Sequence, residues 1–132
     1  MSFISFSLQT EEKVYFINIS SRVREFLAQT GIKDGLCTVY VPHTTAGITI
    51  NESADPAVIH DIKMRLDKLV PSNDRYTHSE GNSDAHIKAS LMGSSVNIPI
   101  SGGRLVFGTW QGIFFCEFDG PRQRTCCINI LE

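Results

Sequence analysis

The segment from Trp110 to Phe118 limits the fold more than any other, because apolar residues occupy both alternating sets of its positions. Successive side chains of a β-strand point to opposite faces, so a strand of this composition must be covered on both sides. Such a strand lies centrally in layered sheets or at a contact between subunits. The segment therefore predicts a domain built from layers of β-structure.

Other segments also have the apolar, aromatic and β-branched composition of strands. They are Phe3–Leu8, Val14–Ile19, Leu36–Val41, His43–Asn51, Ser95–Ile100, Arg104–Gly108 and Arg124–Leu131. The first two are separated by a short polar stretch, which predicts a hairpin or two adjacent strands. The last three, together with Trp110–Phe118, are divided by turn sequences and predict a β-meander.

Three stretches have the capping residues and apolar spacing of helices. They cover residues 20–31, 55–69 and 84–93. Asp55 is predicted to cap the second helix and Asp84 the third. In the third helix, Ile87 and Leu91 form an apolar pair at i,i+4 spacing.

The composition fits one packed globular domain, since 42% of the 132 residues are hydrophobic and 20% are charged. Together with the predicted elements, it indicates a single α+β domain over residues 1–132. The expected architecture has layered mixed or antiparallel sheets with two to three short helices.

The charges exclude several classes of partner. The net charge of -2 comes from 12 basic and 14 acidic residues spread along the chain, without the basic patch that nucleic acid or an anionic membrane requires. Small polar ligands are the expected partners. No apolar run approaches the ~20 residues of a membrane span, and the amino-terminal residues lack a signal-peptide pattern, which predicts a cytoplasmic protein. The adjacent Cys126 and Cys127, and the absence of C-x-x-C, predict reduced thiols.

Three of the four histidines, His43, His78 and His86, lie in or beside irregular polar segments. His43 follows a proline at a strand end, where a rigid element aims the side chain into a cleft. His78 lies in the polar loop 71–84, and loops of this length in a compact domain are usually functional. The fourth histidine, His60, is interpreted as an ordinary residue of the second helix.

His86 occupies the second position of the predicted third helix, where the positive end of the helix dipole disfavours the imidazolium form. Neutral imidazole is the form that binds a metal ion. Free N–H groups at the same helix start can hold a phosphate or carboxylate. The histidines therefore predict a divalent metal, preferentially zinc, with an anion beside it. The alternative is that they are scattered loop residues, too far apart to share an ion.

Glu52 is the candidate general base, because it follows the polar face of the His43–Asn51 strand and could activate a metal-bound water. Asn51 precedes it as a further polar group. Arg122 and Ser90 are the candidates for holding an anionic ligand. Exposed arginines at strand ends are common, so a surface position for Arg122 is the open alternative.

Several segments together form a recognisable combination. They are His43–Thr49, Asn51-Glu52, Asp55-Pro56, Glu80–Asn82, His86–Ser90 and Gly108–Gly112. On these segments the sequence resembles the YjbQ-like family, whose members are also labelled secondary thiamine-phosphate synthase enzymes. The resemblance extends over most of the chain.

The resemblance implies a β-sandwich-like α+β subunit assembled as a homotrimer, with a cleft of clustered histidines near the subunit boundary. Carried over to this chain, the metal ligands are His43, His78 and His86, and the catalytic candidates are Asn51, Glu52 and Glu117. One hypothesis is a metal-dependent enzyme that acts on a small phosphorylated metabolite, with thiamine phosphate formation as its assignable activity. The other is a non-catalytic trimer that binds a metal or a small anion.

Overall fold

A computed structural model describes residues 2–132 of the chain. Within this range the chain forms eight strands and three helices. They are β1 (Ser2–Gln9), β2 (Tyr15–Asn18), α1 (Ser20–Thr30), β3 (Gly35–Tyr40), β4 (Ala46–Glu52), α2 (Pro56–Leu69), α3 (Ser83–Met92), β5 (Ser95–Ser101), β6 (Arg104–Leu105), β7 (Gln111–Glu117) and β8 (Gln123–Leu131). The predicted α+β class is confirmed.

The strands form two antiparallel sheets, a large one in the order β1-β8-β3-β5-β6 and a small one in the order β2-β7-β4. Strand β7 lies in the middle of the small sheet, and every residue of it after Gln111 is buried. Ile113 and Phe115 belong to the main core beneath the large sheet, whereas Phe114 and Cys116 pack towards the helices. The sequence-based expectation of a strand covered on both faces is therefore confirmed.

Two predicted strand pairings are wrong. Strand β1 pairs with β8 and β2 pairs with β7, so the first two strands lie in different sheets and form no hairpin. Of the predicted β-meander only the β5–β6 hairpin forms, because β7 crosses to the small sheet and β8 inserts between β1 and β3 of the large sheet. Turn residues mark where the chain reverses, but the need to bury both faces of β7 decides where that strand lies.

One predicted helix cap is confirmed and another is wrong. The Asp55 side chain accepts a hydrogen bond of 2.9 Å from the Ala57 N–H, which confirms the predicted cap of α2. In contrast, α3 begins one residue before Asp84, and Asn82 occupies the cap position. His86 consequently lies deeper in the helix than predicted, and its N–H donates to the Asn82 carbonyl over 3.4 Å.

Helix α3 buries charged residues and exposes apolar ones. Asp84 and Lys88 are 0% and 2% exposed, whereas Ile87 and Leu91 are 40% and 56% exposed. The buried Asp84 carboxylate lies 2.9 Å from Lys13 Nζ and 3.8 Å from Lys88 Nζ. The predicted apolar pair of α3 therefore faces outward, because its inner side completes an ion-pair network with the segment before β2.

Gly47 allows α3 to approach β4 closely. A Cβ atom at this position would lie 2.8 Å from the Gly93 carbonyl oxygen and 3.0 Å from Met92 Cβ. The Ile48 N–H also donates to the Gly93 carbonyl over 3.0 Å. This contact fixes α3, and hence His86, against the small sheet.

The variant Gly47→Ala is expected to lower the free energy of unfolding by about 1–3 kcal/mol, because the added methyl group overpacks a rigid contact. Gly108→Ala is the matched control, since a Cβ there approaches no atom nearer than 3.4 Å. Urea denaturation of both variants measures the difference. Equal stability of the two variants would contradict a tight contact at Gly47.

None of the helices in residues 2–132 has the length and apolar composition needed to span a membrane. The four cysteines are free, and all but Cys127 are buried. Burial raises the pKa of the Cys37 thiol to about 11 and that of Cys126 to about 12. Cys37, Cys116 and Cys126 are core residues, as predicted, whereas Cys127 is only half-buried.

Candidate functional site

His43 and His86 line one groove with a volume of about 530 Å³. His43 lies in the connection between β3 and β4, and α3 supplies His86 and Ser90 one turn apart. The Ser90 hydroxyl donates to the His86 carbonyl over 2.9 Å, so it is held against the helix. The structure thus brings together three of the residues predicted to form the site.

A second groove of about 430 Å³ adjoins the first, since His86 lines both. It is formed by the start of α3 and the polar loop before it, and contains Arg75, Tyr76 and His78. We call the two together the histidine groove. The predicted loop 71–84 therefore lines part of the groove. Two of its lining residues, Arg75 and Tyr76, have no signal in the sequence patterns.

The rings of His78 and His86 lie close together, with centroids 5.2 Å apart and planes at 86°. Two imidazoles that bind one tetrahedral zinc ion through bonds of about 2.0–2.1 Å hold their centroids about 5 Å apart. The spacing of the pair is compatible with two ligands of one ion, and the perpendicular planes are equally those of an edge-to-face ring contact. Across residues 2–132, however, no cluster of three or more His, Cys, Asp or Glu side chains is arranged to hold a metal.

His43 is placed differently from the other two histidines. Its Nε2 accepts a hydrogen bond of 2.9 Å from the Thr125 backbone N–H. Burial lowers the pKa of His43, and the positive charge of Arg124 lowers it further. A ring nitrogen that accepts this bond carries no proton, so the neutral ring carries its proton on Nδ1. In this arrangement His43 is a hydrogen-bond donor, and neither of its ring nitrogens is free for a metal.

Glu117 and Arg124 form a buried ion pair beside the groove. Arg124 Nε donates to Glu117 Oε1 over 2.8 Å, and its Nη2 donates to Glu117 Oε2 and to Thr45 Oγ1. The Thr10 hydroxyl donates to Glu117 Oε1, and the Asp119 N–H donates to Oε2. Each carboxylate oxygen thus accepts two hydrogen bonds, which is its full capacity.

The electrostatics of Glu117 agree with these contacts. Burial alone would raise its pKa, but the hydrogen bonds from Arg124, the Asp119 N–H and Thr10 outweigh burial and hold the pKa below its usual value. Glu117 therefore remains charged and fully bonded. In the structure Glu117 holds Arg124 in place. The residue after Arg124 is Thr125, whose N–H donates to His43.

Arg122 lies at the same end of the molecule, and its positive charge also contributes to the lowered pKa of His43. Its guanidinium donates to the Asp119 carbonyl over 3.1 Å and lies 3.3 Å from the Asp119 carboxylate. The side chain is half exposed. Arg122 thus keeps exposed donors, but it is not among the side chains that line the histidine groove.

Asn51 and Glu52 lie at the opposite end of β4 from His43. Along the strand, Ala46 pairs with Glu117 and Glu52 pairs with Gln111. At about 3.3 Å per residue the two ends of this strand are about 20 Å apart. Glu52 lines a separate cleft of about 350 Å³ with His60 and Lys63. One chain therefore does not bring Glu52 to the histidine groove.

The fold and the groove together define a class of protein: a layered α+β domain with a histidine-lined surface groove. The chain belongs to the family described as UPF0047 protein YjbQ-like, whose family model matches residues 4–132.

Two relatives are similar to this chain over nearly their whole length. A UPF0047 protein of Methanocaldococcus jannaschii is 50% identical over 96% of this chain and 91% of its own length. The UPF0047 protein YugU of Bacillus subtilis is 49% identical over 94% of this chain and 95% of its own.

Solved structures support the fold. The crystal structure of an uncharacterized conserved protein of the yjbq/upf0047 family from Clostridium acetobutylicum has a TM-score of 0.96 and 54% identity, and the match covers 97% of this chain and 99% of that one. A hypothetical protein from Aeropyrum pernix has a TM-score of 0.95 and 39% identity, with 99% and 98% covered.

Proposed function

We propose that the histidine groove binds a divalent metal ion, preferentially zinc, and acts on a small phosphorylated or otherwise anionic metabolite. The observation that carries the proposal is the 5.2 Å separation of the His78 and His86 rings. Both side chains reach solvent, His78 being exposed and His86 half-buried, so an ion can enter without unfolding the groove. Zinc takes imidazole nitrogen as a preferred ligand.

The proposal gives the three histidines different roles. His78 and His86 would hold the metal, while His43 would donate its Nδ1–H to an oxygen of the bound anion. Arg122 and Ser90 would add donors to the same ligand. The metal, when bound, would act as a Lewis acid on a phosphoryl or carbonyl oxygen. Formation of thiamine phosphate, the activity that the sequence resemblance implies, is proposed as a secondary reaction of this site.

The second candidate function is binding without catalysis. No Asp or Glu lines the histidine groove within the part of the chain that the structure describes. Glu117 has no free acceptor position, and Glu52 lies at the far end of β4. Without a carboxylate to act as a base, the groove would bind a metal or a small anion and leave it unchanged.

We also propose that the protein acts in the cytoplasm, where its free cysteines would remain reduced.

Metal analysis tests the assignment of ligands. Purified without chelator, the protein is expected to contain zinc, and His78→Ala and His86→Ala are each expected to lower the zinc content at least about tenfold, because a lone imidazole binds weakly. His60→Ala is the matched control, since His60 lies outside the groove. Zinc content in His78→Ala or His86→Ala equal to that of the control would refute the metal site.

His43→Ala separates the anion from the metal. This variant is expected to retain zinc and to bind inorganic phosphate more weakly, as measured by calorimetry on the zinc-loaded protein. To distinguish catalysis from binding, thiamine phosphate formation is then assayed with the wild type and with His43→Ala. Turnover that falls further than phosphate affinity supports the enzyme, whereas phosphate binding without turnover in the wild type supports the second candidate.

A further inference from the structure

A further pocket brings basic side chains together from distant parts of the chain. It has a volume of about 350 Å³ and is lined by two arginines, two leucines and a glycine: Arg24, Leu27, Gly103, Arg104 and Leu105. Helix α1 supplies Arg24 and Leu27, and β6 begins at Arg104, so the two arginines meet only in the folded chain. None of the five lining residues is acidic. We call this the arginine pocket.

The turn before Arg104 brings a third cation to the pocket. Gly102 and Gly103 have φ angles of +60° and +77°, which glycine adopts without strain. The Gly103 N–H donates to the Lys33 carbonyl over 2.8 Å, and the Gly102 N–H donates to Asp34 Oδ1 over 3.4 Å. A Cβ atom at Gly103 would lie 3.4 Å from Lys33 Nζ, so this ammonium group lies against the pocket wall. The turn therefore adds the positive charges of Arg104 and Lys33 and the negative charge of Asp34.

The guanidinium groups of the pocket keep their hydrogen-bond donors available. Within residues 2–132, neither arginine of the pocket forms an ion pair, and neither does Lys33. The guanidinium carbon of Arg24 lies 5.6 Å from the centre of the Phe107 ring. This cation–π contact orients the group without using its N–H donors. Each guanidinium can therefore present a planar fork of donors to an anion.

The arginine pocket lies apart from the histidine groove. Ser94, directly before β5, lines the groove, whereas Leu105 lines the pocket and pairs with Ile100 near the other end of β5. At about 3.3 Å per residue these two ends of β5 are about 20 Å apart. The groove and the pocket share no lining residue. An anion in the histidine groove would therefore leave the charges of the arginine pocket unpaired.

We propose that the arginine pocket is a separate ligand site that binds a small phosphate monoester with an apolar body. Arginine binds phosphate oxygens through pairs of hydrogen bonds, and a phosphate monoester carries close to two negative charges at neutral pH. Two guanidinium groups and an ammonium group match that charge better than the single charge of a carboxylate. Leu27 and Leu105 offer apolar surface to the rest of the ligand, as in other small-molecule sites. The proposal depends on neither a metal nor the histidine groove.

NMR titration of the nitrogen-15-labelled protein with phenyl phosphate tests the proposal. The backbone amides of residues 24–27 and 102–105 are expected to shift together and to saturate. Arg24→Gln and Arg104→Gln are each expected to raise the dissociation constant read from these amides at least about tenfold, because each removes charge-assisted hydrogen bonds. Arg22→Gln is the matched control and is expected to bind like the wild type. Arg22 is exposed on the same helix and also lies over a phenyl ring, but it does not line the pocket.

Other probes identify the chemistry of the pocket. Inorganic phosphate lacks an apolar body and benzoate lacks the second charge, so each is expected to bind at least about threefold more weakly than phenyl phosphate at equal ionic strength. In His43→Ala the shifts at residues 102–105 are expected to remain, because the histidine groove is a different site. An unchanged dissociation constant in either Arg24→Gln or Arg104→Gln would overturn the proposal. Equal affinity for the three anions, or shifts confined to the histidine groove, would overturn it as well.

Discussion

Replacing Arg124 with methionine is expected to lower the free energy of unfolding by about 3–5 kcal/mol, because the change leaves the buried Glu117 carboxylate without its cation. Arg124 is 3% exposed and Glu117 is fully buried. Arg124 donates two of the four hydrogen bonds that the carboxylate accepts, and it donates a further one to Thr45 Oγ1. Chemical denaturation of Arg124→Met measures the loss.

The double variant Glu117→Gln/Arg124→Met provides the decisive comparison. Without the charge on residue 117 the desolvation penalty falls, so the double variant is expected to be more stable than Arg124→Met alone. Arg122→Met is the matched surface control, since Arg122 is half exposed and its ion pair with Asp119 is worth about 0–1 kcal/mol. If the double variant is the least stable of the three, the unpaired charge on Glu117 is not what destabilises Arg124→Met.

The same pair determines a pH dependence. The pKa of Glu117 is held below its usual value of 4.5 in the folded protein, so the folded state releases this proton more readily than the unfolded chain. Its contribution to stability is complete above that usual value and is lost as the pH falls through the lowered pKa. Acid unfolding of the wild type is therefore expected to be steeper than that of the double variant.

Much of the secondary structure can be predicted from local sequence. The Asp55-Pro56 cap and the doubly apolar Trp110–Phe118 segment have local causes, and both predictions are confirmed. The pairing of the strands has no local cause, because β1 and β8 pair although almost the whole chain separates them. Apolar composition shows that β7 must be covered, but it does not identify the strands on either side.

The candidate site, too, could be predicted from the sequence only in part. His43, His86 and Ser90 are recognisable as a group from polar segments and family resemblance, and they line one groove. The state of His43 is not readable from its neighbours in sequence, because it depends on the Thr125 amide 82 residues away. Glu52 lies at the far end of β4 because of the length of the strand. The alternation of polar residues shows which face Glu52 is on, but not how far it lies from His43.

Helix α3 shows why burial could not be read from apolar spacing alone. Its Ile87 and Leu91 have the spacing of a core pair, yet the helix buries Asp84 and Lys88 instead. Lys13, far from α3 in the sequence, supplies the charge that makes this burial favourable. A pattern within the helix cannot reveal that partner.

Asp84→Ala is the second variant with a large expected effect. Lys88 Nζ would then keep only Asp67, at 3.7 Å and with a side chain that is 75% exposed. An ammonium group that loses its buried partner costs about 3–5 kcal/mol, and part of this cost is avoided when the chain opens locally. We therefore expect both a lower free energy of unfolding and faster amide exchange along α3, which carries His86 and Ser90.

Asp67→Ala is the matched control for Asp84→Ala, because it removes the other carboxylate near Lys88 while Asp84 remains in place. Since the Asp67 side chain is mostly exposed, its loss is expected to cost less than about 1 kcal/mol. Hydrogen exchange read by mass spectrometry then reports α3 separately from the sheets. If Asp84→Ala lowers global stability but leaves α3 protected, Asp84 stabilises the fold without fixing the helix. If it exposes α3 first, the buried network is what holds His86 at the groove.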